Sequence, residues 1–437
     1  MHPCGTEKIW KKKIIKTGKK RRRGKMNHSD SLEKSVDFRS WFMDKLLMGQ
    51  TWPEYMRTLV TPFNILAAVI LSIGLPLIAM RFMYGLTVVT HASNDYPWGL
   101  FLGWGLFGGV PLSATGFVMG TAYYIFGFKG YRPLVRLGLL AGFLGYLFAV
   151  IYLLVDLGRP WRIYYPMLIG YGTASVLFLV AWHVALYLTV QFLELTPAIL
   201  EWLKSRRVYR WATMITIAMT IAGIILSTLH QSALGAMFLI APGKLHPLWY
   251  SPYITVFFLT SSIYAALALV ILISAIAARF LKNATDNNFL GNLGKLTIGL
   301  GKGTTVCLYV YFVLKVIGIA HGNHWDLLAT PYGYWFIIEI AGFVLLPALI
   351  LTYAVKSKRV GVVRFGALLA VAGIIVNRIN VSIIAFNWKL PDHLHHIIPP
   401  WPEVAVVLAI VTIHILIFRW ILNRLPVLRE APGYKAH

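Results

Sequence analysis

The chain has 437 residues, 58% hydrophobic and only 13% charged, with a formal net charge of +25 and two cysteines. Soluble domains run near 45–50% apolar and about 25% charged, so the composition excludes a cytosolic enzyme, a disordered chain and a disulfide scaffold. Cys4 and Cys307 are too few for an iron–sulfur cluster, and neither a CxxCH haem attachment nor a Cys/His zinc spacing occurs. Any redox chemistry would therefore borrow its metal centres from a partner.

Residues 1–60 read as a basic cytoplasmic tail with an interfacial helix. Eleven Lys and Arg fall between Lys8 and Lys25. Such a run anchors topology and attracts anionic lipid. No nucleic-acid motif follows it, and no short apolar core with a cleavage site marks a signal peptide.

Ten apolar stretches follow, at roughly 62–84, 98–127, 133–155, 167–193, 208–230, 251–280, 296–320, 333–355, 362–386 and 402–424. Each can cross a hydrocarbon core of about 30 Å as a helix. Lipid demands internally satisfied backbones, so the expected fold is all-α, a polytopic membrane helical bundle over residues 61–425. Residues 426–437 form a C-terminal tail. Of the 41 Lys and Arg, four lie in outer loops (Arg159, Arg162, Lys244, Lys389) and three in the outer halves of spans (Arg81, Lys315, Arg378). The rest fall on one side, which the positive-inside rule makes cytoplasmic, giving an N-in, C-in topology.

Histidine shows the opposite bias. His91, His246, His321, His324, His393, His395 and His396 lie in outer loops, and His230 ends a span there. This suits proton handling at the outer face, or simply amphipathic side chains at an interface. The connection 231–250 is too apolar for a solvated loop and is expected to lie in the interface or fold back over the bundle.

Ionisable groups inside spans are costly and mark functional candidates. Lys315 and Glu339 sit at similar depth on helices joined by a short loop, so a Lys315–Glu339 pair is expected. Arg378 lies between Asn377 and Asn380. Asp156, Arg159 and Arg162 mark the end of span three, and Arg81 caps span one. All of these fall in the outer half. A one-sided site suits a quinone, whose carbonyls need donors and whose reduction needs two protons. His230, Lys315 and Arg378 are candidate donors, and His230 or Glu339 a candidate relay. No metal site is expected.

The strings NDYPWGLFLGWGLFGGVPLSATGF, GYLFAVIYLLVDLGRPWR, ASVLFLVAWHVALYLTVQFLE, STLHQSALGAMFLIAPGKLHPLW and NRINVSIIAFN resemble the NrfD/PsrC (polysulfide reductase) family of membrane subunits. The similarity is greatest to its ten-helix branch, represented by HybB, HmcC and DsrP, and covers roughly residues 60–425. The resemblance implies a quinone-reactive subunit of the cytoplasmic membrane, without haem or iron–sulfur cluster of its own. It would exchange electrons between menaquinone or ubiquinone and an extracytoplasmic ferredoxin-like iron–sulfur or multihaem cytochrome partner. Further cytochrome, hydrogenase or heterodisulfide-reductase-like subunits are implied, as in hydrogenase-2-type or sulfite-reductase-associated (DsrMKJOP-like) complexes. The motifs place Asp156, Arg159, His230, Gln231, Asn377 and Arg378 at or near the quinone, with His230, Lys315 and Glu339 as catalytic candidates. Gly105 and Leu179 stand where the family often carries acids, which weakens the case for proton translocation.

Two alternatives stay open. One is a secondary transporter, although no convincing internal repeat is visible beyond an echo of DYPWG in PYGYW. The other is a b-type cytochrome anchor with His183 and His414 as haem ligands.

Overall fold

Backbone groups immersed in lipid must pair within their own segment, and the apolar stretches do so as ten helices. The computed structural model describes residues 38–281, 284–391 and 393–429. The expected basic tail from Lys8 to Lys25, Cys4 and the end of the C-terminal tail lie outside these described residues.

The spans are Pro62–Tyr84, Phe101–Ile125, Lys129–Asp156, Val176–Trp202, Arg206–Ala236, Ile254–Phe280, Phe289–Gly322, Pro331–Lys356, Val360–Ile384 and Trp401–Arg424. They are numbered one to ten below. The chain is an all-α polytopic membrane bundle. Two compact units divide near residue 57. The first contains the short helix Phe38–Lys45. Trp52–Leu59 is a second short helix, with Trp52, Met56 and Leu59 exposed.

Seven spans start and end within about four residues of the expected limits; the fifth runs on to Ala236 and the seventh begins already at Phe289. The fourth differs most. It begins at Val176 and runs to Trp202, about nine residues beyond expectation. A single helical turn, Tyr165–Leu168, precedes it, and Gly170 and Gly172 interrupt the apolar run between the two, because glycine disfavours a continuous helix.

Spans two, three and six are the most enclosed, and spans one, four and five the least. Spans one and ten pack together, so closely that a Cβ on Gly74 would lie 2.3 Å from that of Ala409. Spans four and five form a hairpin pair, as do six and seven, while span nine packs on spans six and eight.

Among the described residues four stretches are π-helical: Phe101–Gly108, Thr121–Ile125, Ile338–Leu345 and Asn380–Ile384. Such widened turns re-aim side chains and cluster at functional sites. Glu339 and Asn380 each lie at the start of one.

The apolar connection after span five folds back over the bundle, as expected. Phe238, Leu245, His246, Leu248 and Trp249 are all buried. Leu245 forms an antiparallel bridge with Phe386, and the Phe386 ring stacks on Trp98 at 4.1 Å.

Candidate functional site

The candidate residues do not form one pocket. They fall into two buried polar clusters, a rim group and one isolated surface residue.

The first cluster lies among spans six to nine. Glu339 is 1% exposed. Its Oε1 accepts from Asn377 Nδ2 at 2.6 Å, and its Oε2 accepts from Trp249 Nε1 at 2.8 Å and Asn380 Nδ2 at 2.5 Å. Trp335 Nε1 donates to Asn380 Oδ1 at 3.0 Å. Arg378 donates to Asn377 Oδ1 at 2.7 Å and to Ser261 Oγ at 2.6 Å, with its guanidinium 3.6 Å above the Phe258 ring. The expected Lys315–Glu339 ion pair is not formed. Lys315 Nζ instead lies between the rings of Phe257 and Phe336, at 5.2 and 5.1 Å. Three N–H donors already satisfy the carboxylate, so the ammonium takes a cation–π seat within Coulomb range.

The second cluster lies among spans two to five. His230 and Gln231 are fully buried. Gln231 Nε2 donates to the Val110 carbonyl and to Tyr146 Oη, both at 3.0 Å. The His230 ring packs on Tyr146 at 5.4 Å, and Tyr146 meets Tyr187 edge-on at 4.8 Å. Several polar atoms here are uncommitted: both His230 ring nitrogens, Gln231 Oε1 and both amide atoms of Gln191, while the Ser227 hydroxyl lies within reach of Tyr146 and Tyr187. Buried polar groups are nearly always paired. A run of donors and acceptors left over at one place is what a bound polar group or ordered water would complete.

The rim group joins spans one, three and ten. Arg81 donates to the carbonyls of Val155 and Leu157. Asp156 lies within Coulomb range of Arg81 and Glu403, and Glu403 Oε1 accepts from Leu100 N at 2.5 Å. Arg159 is exposed and stands apart from both buried clusters. No hydrogen bond or ring contact links His230 or Gln231 to Glu339, Asn377 or Arg378.

Above the first cluster the fold-back segment supplies an aromatic cap. His246 stacks on Tyr332 at 4.5 Å and meets Trp388 at 4.7 Å and Trp249 at 5.6 Å. Burial, helped by nearby His324, lowers the His246 pKa from 6.5 to about 4.

Buried polar groups extend to the other half of span four, beyond the one-sided set of charges expected from the sequence. Gln191 and Glu194 lie deeper in span four, and Thr220 Oγ1 donates to Glu194 Oε1 at 2.7 Å. A scan for charges overlooks neutral Tyr, Gln and Ser. The available signal was spacing: Tyr187, Gln191 and Glu194 fall at i, i+4 and i+7, one helix face. Trp249 had no local signal, since its contact with Glu339 spans 90 residues. The alternative haem ligands are carried on spans four and ten, which do not pack substantially on each other. His414 lies flat on Phe148 at 4.3 Å.

A family model described as polysulphide reductase, NrfD, matches residues 88–387. The chain is 44% identical to a protein of Nitratidesulfovibrio vulgaris, over 87% of this chain and 97% of that one. It is 28% identical to the probable Ni/Fe-hydrogenase 2 b-type cytochrome subunit of Escherichia coli, over 80% of this chain and 88% of that subunit. It is 25% identical to the integral membrane subunit of a menaquinone reductase from Nitratidesulfovibrio vulgaris, over 72% and 79%.

Proposed function

The chain belongs to the polysulphide reductase NrfD family, and from that premise we propose that it is the quinone-reactive subunit of a respiratory complex in the cytoplasmic membrane. Menaquinone or ubiquinone exchanges two electrons with an extracytoplasmic iron–sulfur or multihaem partner and two protons with this chain. The relatives named for a menaquinone reductase and a hydrogenase support that class of reaction.

One observation carries the assignment of the site. His230 is wholly buried and both of its ring nitrogens are uncommitted. Quinone carbonyls are acceptors, and His230 and the Gln191 amide are donors with capacity to spare. In the Glu339–Arg378 cluster the carboxylate and both asparagine amides are spent on one another, which leaves Arg378 Nε and the Lys315 ammonium. In this reading His230 binds the head group and carries the proton. Glu339, Lys315, Asn377 and Arg378 form a supporting charged set under the aromatic cap, and Asp156 with Arg81 holds the neighbouring rim.

The test is His230→Ala in the assembled complex. Loss of a positioned acid–base group removes about 10²–10⁴ in rate. Quinone-linked electron transfer should fall by at least a hundredfold while the partner still reduces a soluble dye. Unchanged quinone turnover would sink the assignment. A transporter reading draws on Gln191, Glu194 and Thr220, which carry polar groups below mid-depth; solute uptake into vesicles holding this chain alone would favour it.

A further inference from the structure

His183 is an ionisable group inside span four that the proposed reaction leaves unused. Its ring is half-buried, and Nδ1 is enclosed without a hydrogen-bond partner. A buried polar atom in that state costs free energy, and an ionisable side chain within a membrane helix marks a functional candidate. Its place is fixed from both sides. One residue before it, Trp182 Nε1 donates to the Pro166 carbonyl at 3.0 Å. One turn after it, the Tyr187 ring meets Tyr146 edge-on at 4.8 Å. Span four cannot rotate about its axis without breaking both contacts.

The register of the hairpin formed by spans four and five sets His183 level with His230. Thr220 Oγ1 donates to Glu194 Oε1, and Ser227 lies within reach of Tyr187. From the first pair to the second, each helix advances seven residues, in opposite chain directions. Antiparallel helices climb past one another at the same 1.5 Å per residue. One further turn therefore brings His183 beside His230, and the two imidazoles lie within Coulomb range. Their surroundings differ. His230 is wholly buried against Tyr146. His183 stands at the seam between core and lipid: Leu179 and Leu186, four residues before it and three after, are exposed, whereas Val180 and Tyr187 are buried.

A 1,4-quinone carries its carbonyls on opposite edges of the ring, so a donor at one leaves the other open. A neutral imidazole offers a single N–H. Building on the reading that places the head group at His230, we propose that His183 is the second donor to the quinone. His230 binds the inner carbonyl, and His183 Nδ1–H binds the one nearer the lipid. The pair orients the head group across the hairpin while the isoprenoid tail stays in the bilayer. The rival second donor is Gln191, which lies two turns of span four from His183, about 12 Å along the helix axis.

The assembled complex is loaded with a short-chain menaquinone analogue carrying carbon-13 at one carbonyl or the other. The two carbonyl stretches are then read by infrared difference spectroscopy. A hydrogen bond lowers a stretch from its frequency in lipid, and both should be lowered in the wild type. His183→Leu should return one of them to the lipid frequency and weaken binding roughly tenfold, the loss of one hydrogen bond. His183→Asn keeps an N–H near the Nδ1 position and should keep the lowered band, which a merely structural role would not require. His230→Ala should free the other carbonyl. A wild type with only one lowered carbonyl overturns the proposal without any variant. If His230→Ala frees a carbonyl but His183→Leu does not, or if Gln191→Leu frees the second one instead, His183 is not the donor and the quinone site at His230 stands. If neither histidine variant changes a band, the quinone does not sit at His230 and both readings fall.

Discussion

Glu339 accepts three N–H bonds, from Asn377, Asn380 and Trp249. A carboxylate can accept all three, but an amide cannot. Glu339→Gln would turn an NH₂ toward at least one donor and leave buried groups unpaired, at a cost of roughly 2–3 kcal/mol. Thermal unfolding in detergent should show a clear drop for this isosteric change, and an unchanged midpoint would mean the network is looser than the distances imply. His246 makes a pH-dependent contribution. Its imidazole is held neutral in the fold down to about 4, whereas an unfolded histidine protonates near 6.5. Between those values the unfolded chain binds the extra proton, so stability rises with pH there. His246 costs nothing above about 6.5, and the penalty grows as pH falls toward 4, then levels off. The unfolding midpoint should fall across that window, and His246→Phe, which keeps the ring stack, should flatten the fall. Equal slopes in both proteins would place the titration elsewhere.

At the scale of elements, Gly105 and Leu179, where the resemblance led an acid to be expected, each have a structural setting. A Cβ on Gly105 would sit 2.1 Å from the Tyr152 ring. Span two passes so close to span three there that no side chain fits. Gly105→Ala should destabilise by about 1–3 kcal/mol through overpacking, and Tyr152→Ala should relieve part of that loss in the double variant. Purely additive losses would show that the two positions do not meet. Leu179 is 38% exposed on span four, so an acid there would point largely outward and would not reach the buried clusters. The fold-back segment is another element-level device. Its Trp249 reaches Glu339 while its backbone is tied to the end of span nine, where His246 N donates to the Ala385 carbonyl and Asn387 N to the Lys244 carbonyl.

For the whole molecule, the proposed topology makes a direct prediction. Asp326 lies in the connection between spans seven and eight, and Ser357 between spans eight and nine. On a Cys4→Ser, Cys307→Ala background, Asp326→Cys should react with a membrane-impermeant maleimide in intact spheroplasts. Ser357→Cys should react only after lysis. The reverse pattern would invert the molecule and move the partner-docking face to the cytoplasm. The arrangement of buried groups also bears on the reaction. His230 and Glu339 belong to separate clusters, so electron and proton handling need not share one pocket.

Hydropathy and charge alone determined the ten helices, because each crosses lipid as a segment whose length and composition are local properties. The limits erred most at span four, where Gly170 and Gly172 interrupt the helix inside a run that stays apolar. Lys315, Glu339 and Arg378 were legible as costly charges at similar depth. Their pairing was not, since it depends on which donors other helices bring: Glu339 takes Trp249 and two asparagines, and Lys315 takes two phenylalanine rings. The uncommitted donors around His230 were invisible in the chain, because an unpaired atom is defined only once all the neighbouring helices are in place.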